Sequence, residues 1–179
     1  VLLDTEPLLA NAWIETAKEY THYLSKDKLL ELKGRRRIDC AKKVHKWINK
    51  ENSIEELLVI QKEKVDEQLT KAKPFKGAID LINFCLNIKL PIALVTSSSS
   101  QSFEIKSSAN PWLKFFPTKI LGDDKFISAG KPSPDPYLRA LKLLNVDPSK
   151  TWVIEDSYAG SVSGLKAGCN LYYFSKEIE

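Results

Sequence analysis

The chain has 179 residues, of which 43% are hydrophobic and 28% charged, and this composition supports one domain with a buried core and an insertion. Its 27 basic and 23 acidic residues are interspersed and give a net charge of +4, which argues against a nucleic-acid partner. The sequence shows neither a signal peptide nor an apolar run of membrane-spanning length, so we expect a cytoplasmic protein without membrane partners. The three cysteines Cys40, Cys85 and Cys169 lack metal-ligand spacing and are expected to be reduced.

Residues 7–73 carry a helical pattern, in which apolar residues recur three or four positions apart. Ser25 and Ser53 are candidate N-caps. The predicted helices of this region cover 7–24, 26–32, 36–50 and 53–72.

One basic cluster interrupts this helical region, at Lys33-Gly34-Arg35-Arg36-Arg37. Such a cluster is often a solvated helix end. It could instead bind an anion, because the planar guanidinium of Arg suits phosphate and Gly34 allows close backbone approach.

After residue 73 the pattern alternates between strands and helices, which predicts a parallel α/β sheet with right-handed crossovers. The predicted strands cover 91–95, 119–121, 151–155 and 170–174. The predicted helices cover 79–86, 101–108, 134–144 and 158–167.

Polar motifs follow two of these strands, and a third lies in a loop. The Thr96, Ser97 and Ser98 hydroxyls at a helix start could donate to phosphate oxygens, although a serine tract is often only a flexible link. Lys131, in a turn between Gly130 and Pro132, could neutralise charge on a transferring phosphoryl group or be an ordinary surface lysine.

The paired acids Glu155 and Asp156 end the strand 151–155, at the sheet edge where α/β proteins bind ligands. Bare carboxylates suit a hard cation such as Mg²⁺. Alternatively, Asp156 or Ser157 could simply cap the following helix.

The order of these motifs resembles that of the haloacid dehalogenase-like hydrolase superfamily. The resemblance rests on Leu94-Val95-Thr96-Ser97-Ser98, Gly130-Lys131-Pro132-Ser133-Pro134-Asp135-Pro136-Tyr137 and Ile154-Glu155-Asp156-Ser157-Tyr158-Ala159-Gly160. The start, Val1-Leu2-Leu3-Asp4-Thr5-Glu6-Pro7, is similar to the end of the first motif in the branch of phosphoglycolate phosphatases and β-phosphoglucomutases.

The resemblance implies a Rossmann-like parallel core at 74–179 with an inserted helical cap at 7–73, residues 1–6 being the remnant of the first motif and cap linker. It implies Mg²⁺ bound by Asp156 and Glu155. Thr96 and Lys131 would be catalytic, with Thr96, Ser97, Ser98 and Lys131 at the phosphate. Arg37 matches the phosphate-gripping arginine of the mutases.

The family's first motif, an Asp-x-Asp-Gly that carries the nucleophile and the general acid/base, is expected just before Val1. Asp4 matches a later family position and would not replace it. The chain contains no Met, and we expect it to be part of a longer protein. That protein would have a first strand before Val1 and further sequence after Glu179. As written, the chain is expected to be inactive.

The function that this resemblance implies is a Mg²⁺-dependent phosphatase that cleaves a small phosphorylated metabolite, such as a sugar phosphate or a phosphoglycolate-like ester, through a phosphoaspartate. One alternative is a sugar-phosphate mutase like β-phosphoglucomutase. Another is a catalytically dead protein that binds phosphate esters.

Overall fold

The computed structural model describes residues 1–32, 37–48 and 51–174. The chain divides into two compact units, one of residues Asp4–Lys73 and one of Val1–Leu3 with Pro74–Glu179. Among the described residues, no helix combines the length and apolar character needed to cross a bilayer.

The first unit is a helical bundle whose core takes residues from all four of its helices. Ala41, Val44 and Leu57 are fully buried there, and Trp13 and Ala17 pack with them. Its helices are α1 (Glu6–Lys18), α2 (Lys26–Leu32), α3 (Arg37–Ile48) and α4 (Ile54–Leu69).

Helix α1 ends at Lys18, six residues before the predicted end at residue 24. Thr21 takes a left-handed conformation with φ of 57°. The amide of Thr21 donates to the Lys18 carbonyl at 2.8 Å, and the amide of His22 donates to the Ala17 carbonyl at 3.0 Å. This is a Schellman ending, which satisfies the last carbonyls and reverses the chain, and it was missed because no glycine marks it.

The predicted cap of α4 is confirmed. Ser53 Oγ accepts from the Glu56 amide at 3.1 Å, and the Ser53 amide donates to Glu56 Oε2 at 2.8 Å. These reciprocal bonds form a capping box, which satisfies two amides at the helix start. Ser25 holds the start of α2 less closely, with its Oγ 3.4 Å from the Lys28 amide.

The second unit alternates strands and helices, as predicted; three of the four predicted strands are shorter than expected, and the fourth keeps its length but begins one residue earlier. It also contains two short 3₁₀ helices that were not predicted, Pro111–Phe115 and Pro148–Lys150. The short strands β1 (Leu3–Asp4) and β2 (Lys73–Pro74) pair with each other. The remaining elements are α5 (Ala78–Asn87), β3 (Ala93–Val95), α6 (Ser100–Ala109), β4 (Thr118–Ile120), α7 (Asp135–Leu144), β5 (Trp152–Glu155), α8 (Tyr158–Lys166) and β6 (Asn170–Tyr173).

The strand pairing confirms the parallel α/β class. Strand β3 pairs in parallel with β4, with Val95 opposite Ile120. Strand β5 pairs in parallel with β6, with Glu155 opposite Tyr173. In each pair the carboxyl ends lie side by side, which is the edge where α/β proteins place ligand-binding groups.

Helix α7 covers this sheet region with its apolar face. Tyr137 and Leu141 of α7 pack against Val153 of β5 and against Cys169, with Val95 of β3 at the margin of the cluster. The core of this unit therefore fixes α7 relative to the strand ends that carry the polar motifs.

Candidate active site

Lys131 joins the carboxyl ends of β3 and β5. Its ammonium donates to the Val95 carbonyl at 3.1 Å and forms an ion pair with Glu155 Oε1. Both side chains are buried, with 9% and 7% of their surface exposed. Two residues that lie far apart in the sequence, each predicted for the site, are thus in direct contact, and Lys131 is not a surface lysine.

The Glu155 carboxylate accepts hydrogen bonds on both oxygens. Oε1 accepts from Tyr137 Oη at 2.7 Å as well as from Lys131, and Oε2 accepts from Ser157 Oγ at 3.0 Å. Burial opposes ionisation of Glu155, but the Lys131 charge and these hydrogen bonds outweigh it and hold the pKa of Glu155 below its usual value.

Gly160 leaves the space that this carboxylate occupies. A Cβ at position 160 would lie 2.1 Å from Cδ of Glu155. The start of α8 is fixed nearby by Ser157, whose Oγ accepts from the Gly160 amide at 3.0 Å and so caps the helix. Ser157 therefore both caps α8 and donates a hydrogen bond to the Glu155 carboxylate.

Tyr137 also contacts the predicted site residues, although no role was predicted for it. Its hydroxyl donates to Glu155, and the Lys131 ammonium lies 5.0 Å from the centroid of its ring. Burial, followed by the Glu155 charge and the hydrogen bond to it, raises the pKa of Tyr137 far above its ordinary value, so the phenol stays a donor. The one sequence signal for a role of Tyr137 in the site was its position in the first turn of α7, six residues after Lys131.

Asp156 differs from its neighbour in being half exposed, with 43% of its side chain accessible. Its Oδ2 accepts from the α-amino group of Val1 at 2.8 Å. The outer carboxylate of the acidic pair is thus the more accessible one.

Within the serine tract, hydrogen bonding separates Thr96 and Ser98 from the serines that follow. Thr96 Oγ1 accepts from the Ser98 amide at 3.1 Å, and Ser98 Oγ accepts from the Lys106 ammonium at 2.7 Å. An amide and an ammonium can only donate. Both hydroxyl groups therefore keep their own hydrogens for another acceptor.

The next serines are used by helix α6 itself. Ser99 Oγ accepts from the Ser102 amide at 3.3 Å as the helix N-cap. Ser100 donates both its amide and its hydroxyl to the carboxylate of Asp123, with distances of 2.9 and 2.6 Å. Asp123 had no predicted role, because it lies beyond the next strand in the chain.

Arg37 lies at the start of α3, and the other members of the basic cluster, 33–36, lie outside the described residues. Its Nε donates to Gln61 Oε1 at 2.6 Å, and its Nη2 donates to the Leu58 carbonyl. These partners belong to α4, so the structure shows Arg37 joining two helices of its own unit. Substrate binding by Arg37 stays a prediction.

The donor set fits a magnesium ion that takes only part of its ligands from this chain. No group of three metal-binding side chains occurs among the described residues. The accessible Asp156 carboxylate is a suitable ligand, whereas both Glu155 oxygens already accept hydrogen bonds. Mg²⁺ usually takes one or two protein carboxylates and completes its shell with water and phosphate oxygens.

Comparison with known proteins shows similarity to phosphatases. The chain is 28% identical over 176 residues to a phosphorylated carbohydrates phosphatase of Thermotoga maritima, covering 97% of this chain and 80% of that protein. It is 41% identical over 101 residues to the bifunctional riboflavin kinase/FMN phosphatase of Arabidopsis thaliana, covering 56% of this chain but only 26% of that longer enzyme.

A solved structure gives the same result for the fold. The crystal structure of a HAD hydrolase, family IA, variant 3, from Entamoeba histolytica superposes with a TM-score of 0.84 at 29% identity, covering 99% of this chain and 81% of that one. Residues 1–173 match the sequence profile of the haloacid dehalogenase-like hydrolases. This match spans nearly the whole chain and confirms the resemblance seen in its motifs, so the chain belongs to the haloacid dehalogenase-like hydrolase family.

Proposed function

We propose that this chain is part of a phosphatase that hydrolyses the phosphate ester of a small metabolite, such as a sugar phosphate or a phosphoglycolate-like ester. The observation that carries the proposal is the buried Lys131 ammonium, held between the end of β3 and Glu155 at the end of β5. A cation fixed there, beside free hydroxyl donors, suits a phosphoryl group. The names of the two relatives support the substrate class.

In the proposed mechanism, the Thr96 and Ser98 hydroxyls donate to oxygens of the phosphoryl group and orient it. Lys131 offsets the negative charge that develops on those oxygens during transfer. Glu155 and Tyr137 act on Lys131, because they keep its ammonium in place. Ser97 stays a predicted contributor through its position between the two hydroxyl donors.

A Mg²⁺ ion would be held by Asp156, with Glu155 as a second ligand or through a water molecule. When bound, such an ion supplies Lewis-acid polarisation of a phosphoryl oxygen. We propose that the helical unit, residues 7–73, is a cap that selects the substrate. Arg37 is its candidate contact with the phosphate group.

The nucleophile proposed by analogy with the family is the first aspartate of an Asp-x-Asp motif, a pattern that does not occur in the 179 residues. Its carboxylate would attack phosphorus as the ester bond breaks, while the second aspartate protonates the leaving alcohol. Water then cleaves the phosphoaspartate and releases inorganic phosphate. The three free, buried cysteines suit a reducing compartment such as the cytoplasm.

The proposal is tested by joining a family-like first strand with Asp-x-Asp-Gly in front of Val1 and assaying p-nitrophenyl phosphate. We expect Mg²⁺-dependent turnover that falls about 100-fold or more in Asp156→Ala. The variant would lose a ligand of the Mg²⁺ ion, and with it the stabilisation of negative charge in the transition state. The unjoined chain is the control and should be inactive. Turnover by the unjoined chain, or full activity of Asp156→Ala, would contradict the proposal.

The same joined protein separates a phosphatase from a mutase. With β-glucose 1-phosphate and a trace of the 1,6-bisphosphate, a phosphatase releases inorganic phosphate, whereas a mutase accumulates glucose 6-phosphate. We expect phosphate, because Leu8 and Leu9 stand where β-phosphoglucomutases carry a proton-transferring His in their early cap segment. No turnover of any ester, with phosphate binding retained, would instead favour a binding protein.

A further inference from the structure

Lys106 makes a contact that the proposed mechanism leaves unused. It lies on the second turn of α6, and its ammonium reaches back past the helix start to Ser98 Oγ, at 2.7 Å. A helical side chain naturally leans toward the N-terminus of its helix, which makes this reach unstrained.

The Lys106 ammonium is a partly buried charge. Burial lowers the pKa of Lys106, since a charged group removed from water is less stable. Seven ion pairs are found in the described part of the chain, and none of them includes Lys106. Partly buried charges normally have an opposite charge nearby. A site anion would supply that charge.

The direction of the hydrogen bond matters for Ser98. Because an ammonium has no acceptor, Ser98 Oγ must accept from Lys106, and the Ser98 O–H is then left to donate elsewhere. Without Lys106, the same hydroxyl could rotate and accept or donate indifferently. A phosphate oxygen requires a donor.

We propose that Lys106 is a positioning residue of the phosphate site, which sets the Ser98 hydroxyl as a donor to a phosphate oxygen and adds positive charge beside it. This proposal rests on the proposed phosphatase function. It extends the site from the strand ends to the second turn of α6, and it assigns a role to a residue outside the motifs of the sequence.

The test is calorimetric titration of the 179-residue chain with inorganic phosphate. We expect Lys106→Met to weaken binding about tenfold, as the loss of one charge-assisted contact of about 1.4 kcal/mol would do. The matched control is Lys119→Met, since Lys119 is also half-buried but donates to the Phe116 carbonyl, and its affinity should change less than about twofold.

A double-mutant cycle separates positioning from general charge or folding effects. In the Ser98→Ala background, we expect Lys106→Met to change the affinity less than about threefold, because the group that it positions is gone. Lys106→Gln, which keeps a donor without the charge, should bind with intermediate affinity. Far-ultraviolet circular dichroism confirms that each variant is folded.

The outcomes distinguish the two proposals. Unchanged affinity in Lys106→Met, or an equal loss in both Ser98 backgrounds, would overturn the role of Lys106 and leave the phosphatase proposal intact. If the unaltered chain binds no inorganic phosphate, the proposed phosphate site falls, and the role of Lys106 falls with it.

Discussion

At the scale of single residues, the Glu155 carboxylate depends on donors from three places in the chain: the Lys131 loop, Tyr137 of α7 and Ser157 at the start of α8. An ion pair this deeply buried stabilises the fold only while both partners stay paired, and removing one partner typically costs about 3–5 kcal/mol. Small changes around the carboxylate should therefore have large effects.

Gly160→Ala tests the space beside this carboxylate. Alanine in a helix is favoured over glycine by about 1 kcal/mol, but its Cβ would overlap the Glu155 carboxyl group and push it from Lys131. Because that loss exceeds the gain, we expect a net destabilisation of about 1–3 kcal/mol in urea unfolding. Gly130→Ala is the control, since nothing lies within 4 Å of its added Cβ. Stabilisation by Gly160→Ala would show that the carboxylate moves freely.

Tyr137→Phe removes one hydrogen bond from Glu155 and leaves the ring in place. We expect the free energy of unfolding to fall by about 1.5–3 kcal/mol, the range for a hydrogen bond to a charged group. In the joined protein, kcat should fall more than KM rises, because Lys131 is less well held when charge develops. Tyr158→Phe is the control, as Tyr158 is 82% exposed. Equal effects of the two variants would contradict the role of Tyr137.

At the scale of elements, helix α6 is fixed by a cap from outside its own sequence. Asp123, beyond β4, accepts from both the amide and the hydroxyl of Ser100, while Ser99 caps the helix from within. This arrangement ties the loop after β4 to the serine tract after β3. The start of α6 is therefore held partly by a carboxylate that is distant in sequence.

The Asp123 contact predicts a pH dependence. The Ser100 hydroxyl, followed by the Ser100 amide, lowers the pKa of Asp123 below its unfolded value of about 3.9. The contribution of this group is thus present above that pH and lost as the pH falls through the lower, folded value. Urea midpoints of the chain and of Asp123→Asn should differ at pH 7 and converge below about pH 4. A difference that stays constant with pH would contradict this assignment.

At the scale of the whole molecule, the two units have separate cores. Leu57 lies in the core of the helical unit, whereas Val153 and Leu141 lie in that of the α/β unit. The two units can therefore unfold in separate steps.

Leu57→Ala tests this separation by hydrogen exchange. Because Leu57 is fully buried, the substitution should destabilise the helical unit by about 2–5 kcal/mol and lower the protection of amides in α3 and α4. Amides of α7 and β5 should keep theirs. Val59→Ala on the same helix is the control, since Val59 is 60% exposed. Equal loss of protection in both units would show a single cooperative unit.

The sequence by itself determined the α/β class, most of the helices, the Ser53 cap and the family. These depend on local periodicity, on capping chemistry and on short motifs next to strand ends, all of which can be read within a few residues. Its errors were at element ends, as in α1, where Thr21 takes a left-handed conformation that no glycine announced.

Only the tertiary structure decided which polar groups meet. The bond from Tyr137 to Glu155 joins residues 18 positions apart, and the ion pair of Lys131 with Glu155 joins residues 24 apart. Likewise, the structure divided the serine tract into free donors and helix caps, through Lys106 and Asp123. Such contacts follow from the pairing of the strands and the packing of α7 on them. The direction of each hydrogen bond follows from which neighbouring groups can only donate. No local sequence pattern encodes either of these.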